Sequence, residues 1–327
     1  MRDLLFAFLL ALAWFAAIDV ALSALAAAAY PLVARAVPRL RPSSAAAVLL
    51  SLKLAPGAAA SLFIFAAFLP AQYRFEPRNV EESAGYTVMA LGVAGAVTLA
   101  GAARRAWRDS VATRRLQRRW LAAAGAPRIV TPDGLPVYCV RDRAPVLSMS
   151  GVRRPRVFVS RRVFEALSAA ELEASLAHER AHGAAADNLK RLLVACSPDM
   201  LGLWPQGREI ERRWREAVEF AADARARSGS EGRGLLLASA LLKVARMTPE
   251  PESGARAAAS AFHDGAPIWD RISRLLAAEV GEDPAPRLGR GWSCLLCGAT
   301  LSVAVVAAEA VWLGVHVVTE GLIRFLP

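Results

Sequence analysis

Two histidines one helical turn apart enclose a glutamate near the middle of the chain, in the run His178-Glu179-Arg180-Ala181-His182. Side chains at positions i and i+4 share one face of a helix, so both imidazoles can reach a single Zn²⁺ ion. Glu179 then stands beside an activated water and can take its proton as a general base. The run predicts one zinc ion per chain and hydrolytic chemistry. The alternative is a solvent-facing polar helix with incidental histidines.

The residues before this run predict the helix that it needs. Ser168-Ala-Ala-Glu171 is a capping box, in which the two side chains satisfy backbone N–H groups at the start of a helix. Two β-like runs come earlier, Val137–Val140 and Arg156–Ser160. The second run could align an extended peptide by strand addition.

A catalytic zinc site needs a third protein ligand and an open fourth position. The strongly helical stretch 208–227 contains Glu219-Phe-Ala-Ala-Asp223, with two carboxylates on one face. Glu219 is the predicted third ligand, and Asp223 could accept a hydrogen bond from a ligand histidine and fix its tautomer. Glu216 is the rival ligand, and a solvated Glu/Arg helix face is the alternative for both glutamates.

Four stretches are long and apolar enough to cross a bilayer, which takes roughly 20 residues. They run over about 4–29, 45–70, 84–103 and 293–318. We therefore expect a mainly α, polytopic membrane protein with about four transmembrane helices. Its predicted parts are a membrane domain over 1–103, a polar domain over 104–290, and a last span with a short external tail over 291–327.

Arginine is distributed unevenly around these stretches. The loop after the first carries Arg35, Arg39 and Arg41 without an acid, and residues 104–119 carry seven arginines. Loops rich in arginine stay on the cytoplasmic side of a membrane. We therefore expect a protein of the inner (cytoplasmic) membrane, with the polar domain in the cytoplasm and the N-terminus outside. Cleavage of the first stretch as a signal peptide would put the loop arginines on the wrong side.

The apolar content and the net charge of the chain limit the kinds of molecule that it could bind. Hydrophobic residues make up 55% of the chain, which argues against a disordered or purely soluble protein. The formal net charge of +11 indicates an anionic partner, either nucleic acid or lipid headgroups. The basic run 104–119 adjoins a predicted span, so we expect it to contact anionic lipid headgroups. Direct nucleic-acid binding is the alternative and is not expected.

Charged residues inside predicted spans should pair with one another. Asp19 and Lys53 lie at similar predicted depths in the first and second spans. We expect an ion pair between them, the alternative being a protonated Asp19 and a Lys53 that reaches the interface.

These motifs carry a resemblance. His178-Glu-x-x-His182 followed by Glu219-x-x-x-Asp223 resembles the membrane-bound gluzincin metallopeptidases. The runs 151–159 and 167–172 together with Asp187-Asn188 resemble the beta-lactam-sensing antirepressor (sensor-transducer) peptidases. This resemblance implies an α+β gluzincin-like zinc peptidase domain with His178, His182 and Glu219 as ligands and Glu179 as base. The family's large extracellular sensor domain is not expected, because only Thr319–Pro327 follow the last span.

A second segment, Phe262–Leu275, resembles a stretch that these peptidases share with their heat-shock relatives. It suggests His263 or Arg271 near the active site, steadying the oxyanion of the transition state. The alternative is a helix start with an exposed histidine and a solvated arginine.

We therefore expect an integral-membrane zinc endopeptidase that cleaves a protein substrate, such as a repressor or anti-sigma factor, in regulatory signalling. One alternative is a quality-control protease of the heat-shock gluzincin type. Another is a membrane signalling scaffold that retains the motif without turnover.

Overall fold

The chain is mainly helical, with one small sheet. The computed structural model describes residues 2–75, 85–131, 134–141, 146–228, 230, 232–247, 267–277 and 308–325. The helices in these ranges are α1 (Arg2–Ala36), α2 (Pro42–Phe63), α3 (Leu69–Phe75), α4 (Tyr86–Ala124), α5 (Arg161–Ala166), α6 (Ala169–Ala184), α7 (Asp187–Cys196), α8 (Pro205–Arg227), α9 (Arg233–Met247), α10 (Ile268–Ala277) and α11 (Ala308–Phe325). The strands are β1 (Ile129–Val130), β2 (Pro136–Val140), β3 (Leu147–Ser150) and β4 (Arg156–Ser160).

Within the described residues, three helical segments are long and apolar enough to cross a membrane. They are Leu4–Arg39, Pro42–Phe75 and Tyr86–Ala124, which contain the first three predicted spans. A π-helical turn, Ile64–Phe68, joins α2 to α3 within the second segment. Residues 293–307 of the fourth predicted span lie outside the described residues, so the count of four spans stays a prediction.

Helix α4 connects the apolar bundle to the sheet without a break. It has 39 residues, which corresponds to about 58 Å. The predicted boundary between residues 103 and 104 falls inside this helix. Near one end, a Cβ at Gly95 would lie 2.4 Å from the backbone oxygen of Leu12, so α4 and α1 are in close contact there. Near the other end, Trp120 packs on Phe158 of β4 with ring centroids 5.0 Å apart.

The four strands form one sheet in the order β1-β2-β4-β3. Strand β4 runs parallel to β2 and antiparallel to β3, and both of its edges are therefore paired. Its buried residues Val157, Phe158 and Val159 suit this central position. The prediction that Arg156–Ser160 aligns a peptide by strand addition is wrong, because β4 is paired on both sides and, among the described strands, β3 lies at the edge beside α6.

Helix α8 packs directly on the apolar helices. Its residues Ile210, Trp214 and Val218 share one buried cluster with Tyr30 of α1 and Leu49 of α2. A separate cluster joins the sheet to α6 and α9 and forms the core beneath the zinc-motif helix. The helix that carries Glu219 is therefore held by the membrane segments as well as by the polar domain.

The expected ion pair between Asp19 and Lys53 is not formed. Nζ of Lys53 lies 2.7 Å from Oδ1 of Asp199 and 3.5 Å from Oε2 of Glu211 instead. Lys53 is 5% exposed and needs a counter-charge, and the segment between α7 and α8 supplies it. The sequence could not indicate this partner because Asp199 was assigned to the polar domain.

Candidate metal centre and active site

The capping box at the start of α6 is confirmed. The N–H of Glu171 donates to Oγ of Ser168, and the N–H of Ser168 donates to Oε2 of Glu171 at 2.7 Å. These bonds fix where α6 begins and place His178 and His182 on its buried face, 0% and 7% exposed. A Cβ at Gly183 would lie 3.1 Å from Sδ of Met149, so glycine here permits the close approach of β3.

The crossing of α6 and α8 brings a carboxylate to the two imidazoles. Nε2 of His178 lies 3.6 Å from one oxygen of Glu219, and Nε2 of His182 lies 3.6 Å from the other. One ligand atom from each of the three residues falls within 4.8 Å of the others. Glu216, the rival candidate, is outside this group and pairs with Arg212 on the partly exposed side of α8.

Each histidine faces a carboxylate through its other ring nitrogen. Nδ1 of His178 lies 2.9 Å from Asp223, and Nδ1 of His182 lies 2.8 Å from Asp187. A carboxylate partner favours a proton on Nδ1 and leaves the lone pair on Nε2. The two Nε2 atoms are only 3.1 Å apart, so two lone pairs would face each other. A proton on one Nε2, or a metal ion held between the two, removes this conflict.

This donor set fits zinc. Two imidazole nitrogens and one carboxylate oxygen are the protein ligands of many catalytic zinc sites. Oε2 of Glu219 is buried and has no hydrogen bond within the described part of the chain, although Nη1 of Arg271 lies 3.2 Å away. His178, His182 and Glu219 are thus the residues that could hold the metal.

The contact of Asp187 with His182 was not predicted, since in the sequence this residue is only part of a resemblance. It opens α7 immediately after Ala186, whose φ of 54° lies in the left-handed region. A non-glycine residue in this region carries a cost of roughly 1–2 kcal/mol. The sharp turn between α6 and α7 lets Asp187 reach back to His182. An acid five residues after the second histidine was the available signal.

Arg271 lies beside the candidate metal ligands, with Nη1 3.2 Å from Oε2 of Glu219. The side chain is 1% exposed, which excludes the alternative of a solvated arginine. Its Nε and Nη2 donate to the two oxygens of Asp223 at 2.8 and 2.7 Å. Arg271 therefore positions the Asp223 carboxylate under His178. His263 lies outside the described residues.

Glu179 is linked to the free edge of the sheet. Oε2 of Glu179 accepts the backbone N–H of Met149 in β3 at 2.6 Å. Asn188 donates to the carbonyl oxygens of Met149 and Gly151 at 3.3 and 3.1 Å. The edge strand and the residue expected to act as base are thus in direct contact.

The charges of the site support this arrangement. Burial raises the pKa of the Glu179 carboxyl, which suits a general base working near neutral pH. Burial also acts to raise the pKa of Glu219, but the imidazoles of His178 and His182, each 3.6 Å away, hold it well below its usual range. Glu219 is therefore ionised, as a metal ligand must be.

The two ligand histidines favour positive charge between the carboxylates. Burial disfavours their charged forms, yet the hydrogen bond with Asp187 and the nearby carboxylate of Glu219 raise the pKa of His182 to about 10. Asp223 and Glu219 raise the pKa of His178 in the same way. The buried acids thus stabilise positive charge at this point of the structure.

A comparison with known families agrees with the geometry. Residues 114–213 match the model of Peptidase family M48. The matched M48 segment includes His178, Glu179 and His182 and ends before Glu219. No curated protein and no solved structure matches the chain. The match and the His-His-Glu cluster together support a metallopeptidase of the membrane gluzincin type.

Proposed function

We propose that this protein is an integral-membrane zinc endopeptidase with one active site per chain. The observation that carries the proposal is the buried set of His178, His182 and Glu219, with a carboxylate behind each histidine. The match of residues 114–213 to an M48 peptidase model supports the same chemistry. In this proposal Asp223 and Asp187 orient the ligand imidazoles.

A bound zinc ion would supply a Lewis acid that activates a water and polarises the scissile carbonyl. Glu179 takes the proton of that water and later passes it to the leaving amine. Burial of this carboxyl raises its pKa and so makes it a stronger base than a solvated glutamate. Arg271 holds the Asp223 carboxylate and adds positive charge beside Glu219.

The substrate lies extended along β3 in this proposal, in place of the predicted pairing with β4. The N–H of Met149 points away from β4, because it donates to Glu179. A substrate carbonyl that accepts this N–H would free Glu179 to take a proton from water. Pairing with an exposed strand edge is a general way to bind extended peptides.

We further propose that the active site is cytoplasmic and that the substrate is a regulator such as a repressor or anti-sigma factor. The arginine-rich stretch 104–119 supports the orientation. The regulatory substrate is supported by the resemblance of residues 151–188 to the antirepressor peptidases. The polar domain over 104–290 and the fourth span over 293–318 are part of the same proposal.

The test is the zinc content of the purified full-length chain. We expect about one zinc per chain in the wild type and in Glu216→Ala, and almost none in Glu219→Ala. Glu179→Gln should keep its zinc, but its rate of peptide hydrolysis should fall by about 100-fold or more. A metal-replete wild type without zinc would overturn the proposal. Zinc binding without hydrolysis would favour the signalling scaffold.

A further inference from the structure

Helices α7 and α8 form a hairpin whose turn contacts all three membrane helices. We define residues 197–204 as the hairpin tip. A Cβ at Gly57 of α2 would lie 3.0 Å from Cδ of Pro198. Oγ1 of Thr98 in α4 lies 3.6 Å from Sδ of Met200. Leu201 packs in the cluster that includes Ala26 and Ala27 of α1.

These contacts lie within the apolar segments. Gly57 is near the middle of the segment Pro42–Phe75. It lies about 18 Å along the helix from Ala45, at ~1.5 Å per residue. The hydrocarbon layer of a bilayer is about 30 Å thick. If the three segments cross the membrane, the partners of the hairpin tip lie about 3 to 18 Å inside the cytoplasmic ends of the predicted spans, at ~1.5 Å per residue.

The backbone of the hairpin tip is suited to a water-poor environment. Irregular backbone is tolerated at this depth only where its polar groups are satisfied within the protein. The carbonyl of Ser197 accepts from Arg105 at 2.9 Å, and the N–H of Gly202 donates to Asp199 at 2.9 Å. The N–H groups of Leu203 and Trp204 donate to carbonyls within the tip. Pro198 has no N–H to satisfy.

The charge in the tip is also paired. Asp199 lies 2.7 Å from Nζ of Lys53, a side chain 3% exposed on the second apolar segment. Ionisable groups at membrane depth occur mainly as such pairs. The pair explains why a lysine stands inside an apolar helix, and it places Asp199 at the depth of Lys53.

The outward side of the hairpin is apolar. Leu189 and Leu193, one turn apart on α7, are 41% and 47% exposed, and Leu203 in the tip is 74% exposed. The tip that carries Leu203 contacts all three apolar helices, so this surface lies beside them. Acyl chains are therefore the occupant that the position indicates.

We propose that the hairpin tip and the Leu189–Leu193 face of α7 form a re-entrant segment, inserted into the lipid bilayer and covered by acyl chains. The polar domain thus contributes a membrane-inserted element of its own from within residues 104–290. The inference rests on the three apolar helices crossing a membrane and does not depend on zinc or on peptidase activity.

Depth-dependent fluorescence quenching tests this proposal. The four cysteines of the full chain are replaced, and single cysteines are introduced by Leu203→Cys, Leu193→Cys and, as the control, Glu173→Cys. Glu173 has a side chain 73% exposed, which matches Leu203. Each variant is labelled with an environment-sensitive dye and reconstituted into vesicles of phosphatidylcholine and phosphatidylglycerol.

We expect nitroxides on the lipid acyl chains to quench the labels at 203 and 193 several-fold more than the label at 173. Aqueous iodide should show the opposite order. Equal iodide quenching at 203 and 173 would overturn the proposal. Labels at 203 and 193 that are shielded from both quenchers would also overturn it, because a protein partner would then cover this surface. Zinc content of the same samples reports separately on the proposed function.

Discussion

The N–H of Met149 donates to Oε2 of Glu179 at 2.6 Å, so one hydrogen bond joins the free edge of the sheet to the proposed catalytic base. In Met149→Pro this N–H is lost, while β3 keeps its pairing with β4 because the N–H points away from that strand. We expect zinc to be retained and peptide hydrolysis to fall roughly 10- to 100-fold relative to Met149→Ala. The measurement is kcat/KM on one peptide together with zinc content. Equal rates for the two variants would contradict substrate alignment along β3.

Asp187 holds Nδ1 of His182 and should control metal affinity. Asp187→Asn removes the negative charge behind the ligand while it keeps the size of the side chain. We expect zinc affinity to fall about 10- to 100-fold, the usual effect of losing such a partner. Competition with a chelator measures it, and the exposed Glu173→Gln serves as the control. Unchanged affinity would mean that Asp187 only begins α7.

Arg271 neutralises two buried carboxylates, Asp223 and Glu219. Arg271→Met leaves both without this partner, at a cost of about 3–5 kcal/mol in the metal-free protein. Zinc on Glu219 supplies part of the lost charge, so the loss should be smaller in the zinc-loaded protein. Thermal unfolding with and without zinc tests this, and the exposed Arg274→Met is the control. The same loss in both forms would show that Arg271 acts independently of the metal ligands.

The ionised carboxyl of Glu171, in the first turn of α6, should make a contribution to stability that depends on pH. Burial opposes ionisation, but hydrogen bonds from Lys243, Ser239 and Ser168 lower the pKa of Glu171 to about 2. Because the folded-state pKa is below the ordinary 4.5, the stabilisation is complete above that pH. It is lost as the pH falls toward 2.

Glu171→Gln keeps a side chain able to complete the capping box and removes only the charge. The difference in Tm between wild type and this variant should be constant above pH 4.5 and shrink below it. A Glu173→Gln variant should show no such trend. A difference that does not change with pH would contradict the assignment.

The pair of Lys53 and Asp199 fastens the hairpin tip to the second apolar segment. Lys53→Met should lower the free energy of unfolding by about 1.5–3 kcal/mol, since a charged hydrogen bond is lost. Lys53→Met combined with Asp199→Asn should cost less than the sum of the two single changes. The control cycle pairs Lys53→Met with Asp19→Asn and should show a smaller coupling. A larger coupling of Lys53 with Asp19 than with Asp199 would instead support the ion pair that the sequence predicted.

Features that depend only on neighbouring residues could be predicted from the sequence. The capping box at Ser168 and Glu171 and the i, i+4 spacing of His178 and His182 depend only on neighbouring residues, and both lie in one helix. Glu219 was predicted because its helix repeats the same spacing with carboxylates. Glu216 could be set aside only when the crossing of α6 and α8 was known.

Long-range contacts could not be predicted in the same way. The pairing of Lys53 with Asp199 depends on a tip that enters the apolar bundle, and no periodicity in 197–204 indicates that position. The strand run Arg156–Ser160 was correctly located but its place in the sheet was not, because strand order depends on partners distant in sequence. Asp187 was missed for a similar reason, since its contact needs the left-handed turn at Ala186.

The two walls of the proposed active site are fastened to different membrane helices. The sheet rests on α4 through Trp120 and Phe158, whereas α8 is packed on α1 and α2. Helix α4 is in close contact with α1 at Gly95, and Trp120 lies about 37 Å further along the same helix. With Gly95 as a pivot, a tilt of about 3° would move Trp120 by about 2 Å over that lever arm. Small rotations within the bilayer would thereby move the sheet, and Met149 with it, relative to Glu219 on α8.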